Sequence, residues 1–125
     1  MQTRTIIGGI FAILSYLFGA LDALLVALIA IIFIEITSSI IKMISKKEIC
    51  SNLLFDLGAK KIGILSIIAL ANVIDGILDL SGVLRTLSIS YFIANEGISL
   101  LENWGDIGLP IPEKIKDVLL KLKSK

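Results

Sequence analysis

The chain has 125 residues, of which 56% are hydrophobic, with a mean hydropathy of +0.95 and a formal net charge of +1. Such a chain forms one compact unit, and its composition is typical of an integral membrane protein rather than a soluble domain. The balanced charge argues against a nucleic-acid partner. With no histidine and Cys50 as the single cysteine, internal disulfides are excluded, and neither a metal site nor a cofactor is expected.

Four apolar runs predict the membrane-spanning helices of an all-α bundle. They cover about residues 6–21, 23–41, 62–80 and 83–101. Runs of 19 residues form helices of about 28 Å, which matches the hydrocarbon thickness of a bilayer. The first run forms a helix of only about 24 Å, which either spans the bilayer or lies partly in the interface, so the bundle has four spans or three. We expect the N-terminal segment to be retained, because it makes a poor signal peptide.

The positions of the lysines predict the orientation of the chain. Lysines cluster in a predicted loop, residues 42–61, and again after residue 113, whereas the short connections near Asp22 and Ser81 have none. By the positive-inside rule, the loop and the C-terminus are both cytoplasmic. This divides the chain into a membrane domain, residues 1–103, and a cytoplasmic tail, residues 104–125, in a multi-pass protein of the cytoplasmic membrane.

The tail predicts an amphipathic helix. Pro110 and Pro112 separate it from the last apolar run, after which hydrophobic residues recur with helical spacing, opposite a face of lysines and acids. A helix of this kind lies on an anionic membrane surface, and the alternative is a frayed, solubilising tail. The residues expected at the membrane surface are Trp104, Lys114, Lys116, Lys121 and Lys123.

Ionisable and amide side chains lie inside the apolar runs, where each charge costs about 2.5–3.5 kcal/mol near a helix centre. In the third and fourth runs they recur every three or four residues and therefore share a face. We expect Arg85 to pair with Asp75 or Asp79. Glu35 and Glu96 have no basic neighbour in their runs, so we expect them to be protonated or hydrated. The polar residues predicted to line a pore or an oligomer interface are Glu35, Asn72, Asp75, Asp79, Arg85, Asn95, Glu96, Ser99 and Glu102.

A salt-bridged seam inside a non-conducting bundle is the alternative interpretation of these stripes. Small residues form a second kind of face, which allows close helix contact either within the first hairpin or between subunits of a homo-oligomer. They are Gly8, Ala12, Ser15 and Gly19 in the first run and Ala23, Ala27 and Ala30 in the second. The sequence has no catalytic constellation and no phosphate-binding glycine loop, so we do not expect an enzyme.

The last third of the chain contains four motifs: Leu84-Arg85-Thr86, Ala94-Asn95-Glu96-Gly97, Leu101-Glu102-Asn103 and Leu109-Pro110-Ile111-Pro112-Glu113-Lys114. In these motifs the chain resembles the toxin-secretion and phage-lysis holin family. The resemblance extends over nearly the whole chain, and Asp22 and the Lys60–Lys61 pair also fit the family pattern. In the second run the chain has Glu35-Ile36 and Ser38-Ser39, where the family tends to have Asp-Tyr and Thr-Gly.

The resemblance implies a small phage or prophage protein of the bacterial cytoplasmic membrane, without enzymatic activity or cofactor. Such proteins oligomerise and open lesions, through which an endolysin reaches the wall or a large toxin leaves the cell. Two alternatives remain at this point: an antiholin-like regulator that joins oligomers without opening them, and a subunit of a small membrane channel.

Overall fold

A computed structural model describes residues 2–124, and 85% of these residues are helical, which confirms the all-α class. The helices are α1 (Gln2–Phe18), α2 (Ala23–Ser45), α3 (Ser51–Leu78), α4 (Val83–Ile107) and α5 (Glu113–Lys123). Left-handed residues end three of them. Gly19 follows α1 with φ +77°, Asp79 follows α3 with φ +52°, and Gly108 follows α4 with φ +111°. Glycine adopts this conformation without the steric cost of a Cβ, which explains the sharp ends of α1 and α4.

The prediction of a loop over residues 42–61 is wrong for most of these residues. In the structure, α2 continues to Ser45 and α3 begins at Ser51, so only residues 46–50 connect them. The two lysines at positions 60 and 61 interrupt the apolar run, but lysine is a good helix former and does not end a helix. At 28 residues, α3 is about 42 Å long, so it exceeds the thickness of a hydrocarbon core.

The bundle is organised around α2 and α4, which run parallel and pack along their whole length. Ion pairs tie them at both ends: Arg85 to Asp22 at one end and Lys42 to Asp106 at the other. Helix α3 runs antiparallel and packs chiefly on α4. The hydrophobic core lies between these three helices and consists of Leu25, Leu28, Ile32, Ile64, Ile68 and Ile89.

Apart from Gly19, the small-residue faces do not pack inside the bundle. Within residues 2–124, α1 contacts α3 and not α2, so the expected packing within the first hairpin is wrong. Gly8, Ala12 and Ser15 are exposed on α1, and so are the alanines on α2, Ala23, Ala27 and Ala30. Gly19 lies beyond the end of α1 and packs against Arg85 and Asn72. The faces therefore point outward, because the turn after α1 directs that helix toward α3.

Among the described residues, α2 and α3 are the helices long and apolar enough to cross a membrane. Only 33% of the apolar window of α2 and 22% of that of α3 is buried inside the bundle. A core helix of a soluble protein would instead bury most of its apolar surface. The outer surface of this bundle is correspondingly rich in exposed isoleucine, leucine and phenylalanine.

Candidate functional site

The buried charged residues of the bundle, Glu35, Asp75, Arg85 and Glu96, are divided between two clusters. In the glutamate–lysine cluster, Lys61 of α3 lies between Glu35 of α2 and Glu96 of α4. Lys61 Nζ donates to Glu96 Oε1 at 2.9 Å and Oε2 at 2.8 Å, and it pairs with Glu35 Oε2. Side-chain exposure is 12% for Lys61, 6% for Glu35 and 3% for Glu96. One lysine therefore links all three helices at a site nearly closed to the surroundings.

Hydroxyl and amide groups support the glutamate–lysine cluster. Ser39 Oγ donates to Glu35 Oε1 at 2.8 Å, and Ser38 Oγ donates to the Glu35 carbonyl oxygen at 2.8 Å. Asn103 Nδ2, reaching across from α4, lies 2.9 Å from both hydroxyl oxygens. These contacts hold the Glu35 carboxylate in one orientation, so the acid is presented to Lys61 rather than to lipid.

The expectation that Glu35 and Glu96 lack a basic partner was wrong. Lys61 was assigned to a loop, whereas it lies in α3 and faces inward. The sequence does contain the signal: Lys61, Ile64, Ile68, Ala71 and Asp75 follow one another at spacings of three and four, and so share the inward face of α3. Extending the helix by one turn beyond the apolar run would have placed the lysine on that face.

The arginine cluster lies at the opposite end of the bundle, where the two short connections meet. Arg85 Nε donates to the Phe18 carbonyl oxygen at 2.7 Å, and Nη2 donates to that of Ala20 at 2.8 Å. Its Nη1 pairs with Asp22 Oδ2 at 2.9 Å. The guanidinium thus satisfies carbonyl groups at the end of α1 that have no partner within the helix, and it joins the α1–α2 connection to α4.

Two side chains of α3 complete the arginine cluster. Asp75 accepts hydrogen bonds from the backbone N–H groups of Leu84, at 3.1 Å, and Arg85, at 2.6 Å. A carboxylate at the start of α4 is also favoured by the helix dipole. Asn72 Nδ2 donates to the carbonyl oxygens of Tyr16 and Leu17 at 2.9 and 3.0 Å. Side chains of α3 therefore satisfy backbone groups both at the C-terminal end of α1 and at the N-terminal end of α4.

The predicted ion pair between Arg85 and Asp75 or Asp79 is wrong in its partners. Asp75 binds the backbone of α4, and Asp79 is exposed in the turn, while the guanidinium reaches Asp22 instead. Asp22 was not among the predicted site residues. Its place before Ala-Leu-Leu is typical of a helix N-cap, and its side chain does accept from Leu25 N–H at 3.0 Å.

The remaining predicted stripe residues divide between a cleft and the surface. A cleft of about 580 Å³ opens beside the glutamate–lysine cluster, and Asn95 and Ser99 line it together with Glu35, Lys61 and Glu96. Glu102 is exposed and does not line the cleft. The polar residues of α4 therefore do not form one continuous stripe, because its helical turn carries Glu102 to the outside.

The amphipathic tail helix forms as α5, but it folds back along α4. Leu119 lies against Gly97, and Lys123 Nζ is 5.9 Å from the centroid of the Tyr91 ring. Trp104 is half-buried, and Lys114, Lys116 and Lys121 are exposed. The tail thus packs on α4 of the same chain, a contact that its amphipathic pattern did not predict.

The pair between Arg85 and Asp22 predicts a pH dependence. Asp22 lies between α1 and α2, and the hydrogen bonds from Arg85 and from Leu25 N–H lower its pKa from 3.8 to about 2. Because the pKa is lower in the folded state, this pair stabilises the fold fully above about pH 4 and progressively less down to about pH 2. We expect the thermal midpoint of the detergent-solubilised protein to fall more steeply over this range than that of Asp22→Asn. Parallel pH profiles for the two proteins would contradict this assignment.

The two clusters satisfy buried charges and hold helices together. Among residues 2–124, no group of three histidine, cysteine, aspartate or glutamate side chains is placed to hold a metal ion. What the arrangement can do is store charged side chains inside a bundle whose outside is apolar.

Comparison with known proteins identifies the family. The profile of the bacteriophage holin family matches residues 12–124. A probable holin of Bacillus phage phi105 is 37% identical over 88% of this chain and 81% of its own. A 14.9 kDa protein of the nagH 3′ region of Clostridium perfringens is 40% identical, over 89% of this chain and 85% of its own. An uncharacterised Listeria monocytogenes protein is 37% identical, over 94% and 84%. No solved structure matches. With its apolar bundle and these relatives, the chain belongs to the bacteriophage holin family.

Proposed function

We propose that this protein is a holin that assembles in the bacterial cytoplasmic membrane and opens pores or lesions there. Through them an endolysin reaches the cell wall, or a large toxin leaves the cell. One observation carries the proposal: charged groups pair with one another between the helices of the bundle, whereas apolar side chains cover its outside. The protein acts without catalysis and without a cofactor.

The contacts between helices support four spans. Although α4 is less apolar than α2, the pairs Arg85–Asp22 and Lys42–Asp106 place the two helices side by side over the same depth. Helix α1 has 17 residues, about 25 Å, and Asn72 fixes its C-terminal end to α3. The lysines of the α2–α3 connection, Lys46 and Lys47, lie at the end of the bundle opposite the arginine cluster, so that end is cytoplasmic, and the C-terminal tail starts from it.

Homo-oligomerisation is supported by the outward small-residue faces. A Cβ at Gly8 or Gly9 would meet nothing within 4 Å, and the alanines of α2 are exposed as well. Small faces turned toward lipid allow helices of neighbouring subunits to approach closely. These faces are therefore available to a second copy without rearranging the core.

The internal clusters provide a mechanism for a concentration-dependent opening. In the dispersed subunit, Glu35, Lys61 and Glu96 satisfy one another, and an open cleft lies beside them. In an assembly, the same side chains gain water and adjacent subunits as partners. As the subunit concentration rises, the conformation with hydrated clusters becomes more populated, because subunits associate preferentially in that conformation.

Inducible expression in a bacterium tests the proposal. We expect abrupt, timed loss of membrane potential followed by release of a large cytoplasmic reporter enzyme. Gly8→Leu, on the exposed face of α1, should leave the bundle intact and delay the onset. Loss of potential without release of the reporter would indicate a small channel. Unaffected growth at high expression would contradict the proposal and favour an antiholin-like regulator.

A further inference from the structure

Helix α5 covers one surface of α4 through contacts that depend on glycine. A Cβ at Gly97 would lie 3.0 Å from Leu119 Cδ1, and a Cβ at Gly105 would lie 3.3 Å from Ile111 Cγ1. The two glycines therefore leave spaces that hydrophobic side chains of the tail fill. Gly97, Leu101 and Gly105 follow at intervals of four residues, and we call this surface the α4 glycine face.

The docked tail extends far along α4. Gly97 is adjacent to Glu96 of the glutamate–lysine cluster, and Lys123 reaches the ring of Tyr91 still deeper in the bundle. If α4 spans the membrane as proposed, the exposed residue Lys121, between Leu119 at Gly97 and Lys123 at Tyr91, faces the hydrocarbon region. Lysine at that depth is unfavourable, whereas it is favoured at an anionic membrane surface.

The tail cannot pack on α4 and lie on the membrane surface at the same time, because both positions use the same apolar residues. Leu119 packs against Gly97 of α4, while Ile115 and Val118 are 52% and 64% exposed. Lying on a membrane would require the whole apolar edge, Leu119 included. The connection 108–112 allows the tail to swing, since it begins at Gly108 and contains no helical residues.

We infer that the α4 glycine face is an interaction surface for a second copy of this chain and that α5 covers it until the tail moves to the inner leaflet. This inference rests on the proposed membrane assembly. The face already accepts a helix of this chain at close range, and its three residues carry no charge. Two copies related by an axis along the membrane normal would present the same face to each other, so their α4 helices could approach closely.

Disulfide trapping between α4 helices tests this surface. The reporter is Leu101→Cys in a Cys50→Ser chain, oxidised in membranes at matched expression. Leu119→Asp should release the tail and increase dimer formation through position 101 severalfold, with earlier loss of membrane potential. Val118→Asp is the matched control: it adds the same charge on the exposed side of α5 without disturbing the contact with Gly97, so it should not raise dimer formation above the parent level.

A second variant separates the face from the tail. Gly97→Leu fills the space on α4, so it should abolish dimer formation through position 101, and adding Leu119→Asp should not restore it. Leu119→Ala provides a milder release should Leu119→Asp fail to accumulate, and it should change dimer formation in the same direction.

The inference and the proposed function can fail independently. Equal trapping for Leu119→Asp and Val118→Asp, or undiminished trapping in Gly97→Leu, would overturn the α4 glycine face even if cells lose their membrane potential. Strong trapping that responds to these variants in cells that stay intact would instead support the face and contradict the holin function.

Discussion

Replacing Lys61 by methionine is expected to destabilise the protein by about 3–5 kcal/mol, the usual cost of removing one partner from a buried ion pair. Lys61 is the shared partner of Glu35 and Glu96, whose side chains are only 6% and 3% exposed. Methionine keeps the length and apolar stem of the lysine but leaves two buried carboxylates facing each other. The loss should appear as a lower midpoint when the detergent-solubilised protein is unfolded with increasing dodecyl sulfate.

The neighbouring lysine provides the control for this variant. Lys60 is exposed on the same turn of α3, so Lys60→Met should change stability by no more than about 0.5 kcal/mol. Combining Lys61→Met with Glu35→Gln and Glu96→Gln should recover most of the loss, because no buried charge then lacks a partner. Equal effects of the two single lysine variants would show that the glutamate–lysine cluster does not hold the helices together.

Replacing Arg85 by methionine should cost about 3 kcal/mol, from two charge-assisted hydrogen bonds to carbonyl oxygens of about 1.5 kcal/mol each. The groups left without a donor are the carbonyls of Phe18 and Ala20, with the Asp22 carboxylate beside them. The N-terminal helix should loosen, since this guanidinium holds its C-terminal end. Amide hydrogen exchange should therefore increase in α1 more than in α3.

Two arginine variants delimit this prediction. Arg85→Lys should recover only part of the stability, because an ammonium group cannot reach both carbonyls and Asp22 in the geometry of the guanidinium fork. Arg4→Met removes the other arginine of the sequence, at an exposed position of α1, and should have little effect. Similar exchange profiles for Arg85→Met and Arg4→Met would mean that α1 is held by its packing on α3 alone.

The two clusters also relate stability to function. If they keep the dispersed subunit closed, variants that weaken either one should open lesions earlier at equal protein levels. The same residues then serve as structural ties in the subunit and as hydrated groups in the assembly. Depth within the bilayer makes both roles possible, because a polar group there needs a partner in every state.

The helices themselves were largely predictable. Long apolar runs are a local signal: they place the starts of α2 and α4 at the observed residues and both bounds of α1 within four, but α2 and α4 continue four and six residues beyond their runs. The start of α3 was not predictable from hydropathy, because a helix that continues beyond its apolar run keeps its backbone hydrogen bonds but loses its apolar pattern. Lys61 was misplaced for that reason, and with it the charge balance of the site.

The pairing of the charged residues required the structure. Arg85 and Asp22 are 63 positions apart, and Lys61 and Glu96 are 35 apart. Nothing local distinguishes Asp22 from Asp75 as a partner for the guanidinium. The choice depends on how the α1–α2 connection folds over α4, which brings Asp22 within reach and turns Asp75 to the backbone.

By itself, the sequence determined that this chain is an all-α holin-family protein whose apolar helices contain charged residues, because composition, periodicity and motif are properties of neighbouring residues. Only the tertiary structure decided which charges meet, that the small faces point outward, and that the tail lies on α4. Those outcomes depend on contacts between distant segments, where one lysine or one glycine is selected by the geometry of the surrounding helices.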